Sequence, residues 1–140
     1  MVWLGQKITC AGLPEDWGVV AKGTFSTKGR APEIDDNRCR FEVGLFQDTL
    51  PTFLDRKPFR GKTVIHLDAD LYSSTLFVLT SAAPVLKKGD ILIFDDFGSI
   101  RNPAHEFRAF LDFLSAYPIA LEVLGYSGLY AQAAMKVVGP

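Results

Sequence analysis

VIHLDADLYSST, residues 64–75, is an apolar run that stops at two carboxylates spaced one residue apart, with Tyr72 and three small hydroxyl side chains just behind. A second phrase, GDILIFDDFG at residues 89–98, repeats the pattern and stops at Asp95-Asp96. Short runs rich in branched residues and closed by turn-forming acids read as strands. Lys62–Asp68 is one such strand. Asp90–Asp95 is another, apolar almost throughout, as expected where both faces are covered. Between them Ser73 or Ser74 can cap a helix from Thr75 to Lys88, bent near Pro84. Lys87 and Lys88 fall where the helix dipole favours cations, and Gly89 supplies the stop.

Upstream, Gly12–Asn37 is rich in Gly, Pro and Asp and reads as loop. Cys39–Phe46 alternates polar and apolar residues, a strand pattern. Asp48 then caps a short helix whose Pro51 falls in the tolerated first turn and whose Leu50, Phe53 and Leu54 share a face. Downstream, Asn102-Pro103 is a helix start, and Ala104, Phe107, Phe110, Leu111 and Leu114 recur at helical spacing. Ile119–Gly139 reads as two strands joined around Gly125–Gly128, a closing hairpin. Strands alternating with helices mean an α/β fold. The expectation is one domain, residues 1–140, with an open, mostly parallel, Rossmann-like sheet, helices on both faces and a C-terminal antiparallel hairpin.

The 140 residues suffice for one buried core. A net charge of −1 leaves no surplus of basic residues to displace counterions, which argues against nucleic-acid partners. No apolar run reaches membrane-spanning length, and the N-terminus lacks a basic stretch ahead of an apolar one, so neither a membrane span nor a secretion signal is expected. Cys10 and Cys39 form no framework and have no metal-ligand spacing, consistent with buried thiols in the cytoplasm.

Asp68, Asp70, Asp95 and Asp96 all fall at carboxyl ends of strands, where open α/β sheets bind ligands. Asp68 and Asp70 are two apart, so both can face one crevice. Asp95 and Asp96 would point oppositely in an ideal strand and converge only where the strand breaks. Crowded carboxylates repel, and a divalent cation removes the conflict. The all-oxygen donor set, with His66 deeper in its strand, favours Mg²⁺, with Mn²⁺ or Ca²⁺ also compatible. A single Asp after a strand is commonly a cap; two pairs on separate strands are harder to read so. Three chemistries use such acids. A haloacid-dehalogenase-type phosphatase wants a Thr where Tyr72 stands. A nucleotide-sugar glycosyltransferase wants a nucleotide-binding half longer than the 67 residues before Asp68. The third is methyl transfer.

GLPEDW (12–17), KGTFSTKGRAPE (22–33), GLFQDTLPTFL (44–54), HLDADLYSST (66–75) and GDILIFDDFG together resemble the macrocin O-methyltransferase family, whose members are class I, SAM- and Mg²⁺-dependent and methylate sugar hydroxyls of natural products. The resemblance implies that Asp68, Asp95 and Asp96 hold the metal and that Asp70 is the general base for a small-molecule hydroxyl acceptor. It also lays Lys22–Glu33 over the sugar, with Ser26, Thr27, Lys28 and Arg30 as contacts. The family's Gly-rich SAM turn precedes GLPEDW, where this chain has eleven residues, and Lys7–Ala11 holds no acid for the ribose. The first strand-helix unit is therefore expected to be missing and the SAM-binding residues are unassigned. Val2–Thr9 is expected to form a strand beside Lys62–Asp68, or a second copy to close that gap as a homodimer. Two functions follow: a hydroxyl-directed methyltransferase domain, or a non-catalytic remnant that binds a divalent ion or a protein partner. His66 is expected as a core histidine, His105 as exposed, and Trp17 as either crevice lining or a packed loop aromatic.

Overall fold

The computed structural model describes residues 2–3, 6–9, 13–24, 26, 28, 30–56, 61–98, 104–129 and 131–139. Cys10, Thr27, Asn102 and Pro103 lie outside them. Strands β1 (Val2–Trp3), β4 (Val64–Leu67), β5 (Ile91–Phe94), β6 (Ala120–Ser127) and β7 (Gln132–Gly139) form one sheet in the order β1-β4-β5-β7-β6. Strands β2 (Gln6–Thr9) and β3 (Arg40–Val43) form a second, two-stranded sheet. Parallel pairing holds at β4–β5 and β2–β3, whereas β1 and the β6–β7 hairpin pair antiparallel, so the larger sheet is mixed. The α/β, Rossmann-like class and the closing hairpin are as expected. The place beside β4 is taken by Val2–Trp3, while Gln6–Thr9 leaves to join β3.

Helices α1 (Phe46–Asp55), α2 (Tyr72–Ala82) and α3 (Glu106–Ala116) follow β3, β4 and β5. Alternation in the strands sends Ile65, Leu67, Leu92, Phe94, Ala133 and Met135 to one face, where they join Phe46, Leu50, Phe53, Val78, Leu79, Phe110 and Phe113 in a single buried cluster. All three described helices thus gather on that face, and not on both faces as the sequence pattern led us to expect. The other, bearing Val64, His66, Ile91, Ile93, Ala134 and Lys136, is only partly covered and carries no helix among the described residues. No described helix is long and apolar enough to cross a membrane.

Local chemistry explains the shifts from the expected boundaries. Helix α2 starts at Tyr72 with Leu71 as its N-cap, and the Ser73 hydroxyl donates to Glu15 Oε1 at 2.6 Å instead of capping. It gives way at Ala82 to a 3₁₀ turn, Ala83–Val85, because Pro84 has no N–H to continue the ladder. Helix α3 buries Glu106, Ala109, Phe110 and Phe113, whereas Phe107 and Leu111 are 37% and 48% exposed. The inward stripe is thus rotated from the expected one, because a carboxylate occupies a position that apolar periodicity would not count. At the amino end of the sheet, buried Asp90 accepts the amides of Thr63 and Lys87, each at 2.8 Å, and staples the starts of β4 and β5 together.

Candidate active site

The β4–β5 register opposes Leu67 and Phe94, and the Asp95 amide extends the ladder to Leu67 O at 2.9 Å. That pairing brings the two acid-bearing turns side by side at the carboxyl rim. After β4 the chain folds tightly: the Leu71 amide bonds to Ala69 O at 2.5 Å across Asp70, whose φ is +56°. An i→i+2 bond around a left-handed residue is the rarer, strained γ-turn, a conformation that persists where its surroundings over-determine it. The turn swings the Asp70 carboxyl toward the neighbouring strand.

Asp68, Asp70 and Asp96 converge, each offering a carboxylate oxygen within 4.8 Å of the others. Asp70 and Asp96 approach closely enough that their carboxylates repel unless a proton or a cation lies between them. Burial first, then the Asp96 bond and the charges of Asp96, Asp68 and Asp95, push the Asp70 carboxyl up to about 7. Among the described residues no lysine or arginine pairs with any of the three. Asp95 does not join them. Its Oδ1 accepts Gln132 Nε2 at 2.9 Å and lies 3.7 Å from His66 Nε2, with Ser127 Oγ donating to Gln132 Oε1 at 2.6 Å behind. The strand geometry that would splay Asp95 from Asp96 persists through the turn. A compact set of hard oxygen donors with no cationic counterpart fits a divalent ion such as Mg²⁺.

Beneath the cluster lies Glu106, fully buried at the start of α3. Its Oε1 accepts the Ala69 amide at 3.4 Å and its Oε2 the Asp96 amide at 3.1 Å. Burial, with Asp96 and Asp70 adding repulsion, pushes its carboxyl up to about 7 against the pull of the two amides. Sequence reasoning missed Glu106 and Gln132. The available signal for Glu106 was its spacing: three, four and seven residues before Ala109, Phe110 and Phe113 it shares their inward face.

The other residues bind the rim to its surroundings. Tyr72 turns away from the acids, donating its hydroxyl to Asp112 Oδ2 at 2.8 Å under the Arg108 guanidinium. His105 accepts the Tyr72 amide on Nδ1 at 3.4 Å and meets the Trp17 ring edge-on at 6.4 Å, so the loop at Trp17 packs against the α2–α3 side of the rim. His66 is partly exposed rather than sealed in the core. Ser26, Lys28 and Arg30 are exposed. No G-x-G-x-x-G turn occurs in the chain, and a cleft of about 490 Å³ lined by Pro84, Leu86, Tyr117 and Val138 lies at the opposite end of the sheet. The described residues offer no glycine-rich cradle for SAM.

Residues 19–117, which include the four rim aspartates and Glu106, match the model of the macrocin-O-methyltransferase (TylF) family. Over 107 residues the chain is 40% identical to mycinamicin III 3''-O-methyltransferase of Micromonospora griseorubida, covering 75% of this chain and 39% of that protein. Among solved structures it is similar to CalS11, a TDP-rhamnose 3'-O-methyltransferase of calicheamicin biosynthesis, with a TM-score of 0.57 at 29% identity over 71% of this chain and 42% of that one. The O-methyltransferase NovP aligns with a TM-score of 0.58 at 25% identity, over 76% of this chain and 40% of that one. The chain thus spans about two fifths of the length of these relatives.

Proposed function

The chain belongs to the macrocin-O-methyltransferase family, and from that premise we propose that it carries the cation- and hydroxyl-handling part of an O-methyltransferase acting on a sugar of a natural product. The observation that carries this reading is the convergence of Asp68, Asp70 and Asp96, without a basic partner among the described residues, at the carboxyl rim of a Rossmann-like sheet. When bound, the cation would lower the pKa of the acceptor hydroxyl and SAM would supply the methyl group. Asp68 and Asp96 would hold the cation, with Asp95 as a third ligand if its carboxylate exchanged Gln132 for the ion. Asp70 takes the hydroxyl proton, its carboxyl lying beside those of Asp68 and Asp96 where the acceptor oxygen would be held. The backbone turn at Asp70 fixes where the proton is received. No residue of this chain is assigned to SAM.

Convergence also favours a second arrangement, in which Asp70 itself is the third cation ligand and Asp95 stays with Gln132. Mg²⁺-dependent thermal stabilisation, followed in full-length variants, separates the two. Asp68→Asn or Asp96→Asn is expected to abolish the shift in either case, and a shift that survives both refutes the cation site. Loss in Asp95→Asn with retention in Asp70→Asn supports the first arrangement, and the opposite result the second. Calorimetry with SAM then tests catalysis by this chain. Micromolar binding excludes a non-catalytic remnant; no binding at millimolar SAM with an intact cation site favours it.

A further inference from the structure

The rim acids rest on a residue that touches none of the reacting groups in the scheme above. Glu106 is fully buried and forms no ion pair among the described residues, and its two hydrogen bonds leave its own helix for two different turns. Helix capping would direct an acid in a first turn to the amides of that same turn. Here the carboxylate instead reaches Ala69, which sits between Asp68 and Asp70, and Asp96, itself one of the converging acids. One rigid two-oxygen group thus grips both acid-bearing turns from below. Helix α3 is held in turn by Phe110 and Phe113 in the core, so the grip is anchored to the most buried part of the fold.

We infer that Glu106 is a positioning residue, a buried strut that sets the spacing of Asp68, Asp70 and Asp96 by holding the Ala69 and Asp96 amides at once. The inference rests on the cation reading of the rim. Both Glu106 oxygens are occupied by amides and neither belongs to the converging set, so it acts through the ligands and not as one. Glu106→Gln keeps the shape but turns one acceptor into a donor, leaving one amide facing a like group. Loss of an outer partner of this kind weakens metal binding by roughly 10–100-fold.

The test is Mn²⁺ titration of the full chain followed by electron paramagnetic resonance, with folding checked by circular dichroism. A folded Glu106→Gln variant is expected to bind Mn²⁺ at least about tenfold more weakly than the wild type. A folded variant that binds as the wild type does overturns the role of Glu106 and leaves the cation site standing. A wild type that takes up no Mn²⁺ overturns the cation site and the strut together. Should the variant not fold, amide hydrogen exchange in the cation-free wild type decides. Slow exchange at both Ala69 and Asp96 supports the strut, and free exchange at either overturns it.

Discussion

Asp90 and Glu106 are both sealed from solvent, and each accepts two backbone amides, at opposite ends of one sheet. Asp90 grips its amides at 2.8 Å each, whereas Glu106 holds its pair at 3.4 and 3.1 Å, with burial first and then Asp96 and Asp70 raising its proton affinity. One device therefore serves two ends. Below, it is a staple that joins the starts of β4 and β5 through the Thr63 and Lys87 amides. Above, it works against like charge and gives up some bond quality to hold a charged rim in place. Local stability and functional geometry are separated along the strands.

The largest expected effect tests the staple. Asp90→Ala leaves two buried amides without a charged acceptor and is expected to lower the unfolding free energy by about 3–5 kcal/mol in urea titrations. A loss below about 1 kcal/mol would erase the contrast with Glu106. The Mn²⁺ affinity of the protein that remains folded is expected to be unchanged; a large fall would mean that the two ends are not independent.

A smaller effect is carried by pH. Asp70 and Glu106 both have folded-state values near 7, against ordinary values of 3.8 and 4.5. Between those limits the folded chain binds more protons than the unfolded one, so stability is expected to fall as pH rises from about 4.5 to 7 and then level off. Urea midpoints in cation-free buffer at successive pH values would show the slope. Asp70→Asn and Glu106→Gln should each flatten it, and saturating Mg²⁺ should offset it at the alkaline end. A rise in stability over that interval would contradict the charge crowding at the rim.

The smallest effect lies beside the rim on α2. The Thr75 hydroxyl is fully buried and finds no hydrogen-bond partner among the described residues. Thr75→Val is therefore expected to be neutral or to stabilise by up to about 1 kcal/mol, with Mn²⁺ affinity unchanged. Destabilisation by that amount, or weakened Mn²⁺ binding, would reveal a polar duty for this hydroxyl and enlarge the rim.

Periodicity and turn chemistry are local properties, and what depends on them was legible in the residues. Alternation and apolar runs marked β3, β4, β5 and the β6–β7 hairpin; Pro84 marked the place near which α2 gives way, whereas Gly89, read as the helix stop, lies seven residues past its end at Ala82; strand-end aspartates marked the rim. The helical stripe of α3 was misaligned because Glu106 sits among apolar side chains, so hydrophobic counting put Phe107 and Leu111 inward where Glu106, Ala109 and Phe113 belong. Sequence spacing also treated Asp95 and Asp96 alike, although one faces Gln132 and the other Asp70.

From the order of its residues alone the chain was bound to build β-α-β units ending in acids, since short-range sterics and apolar spacing need no knowledge of the rest of the molecule. Which acids meet, which one turns to Gln132, and that a glutamate ten residues beyond Asp96 holds both turns were decided only when the sheet closed. Those outcomes depend on contacts between segments up to 37 residues apart, whose energy exists only in the assembled core.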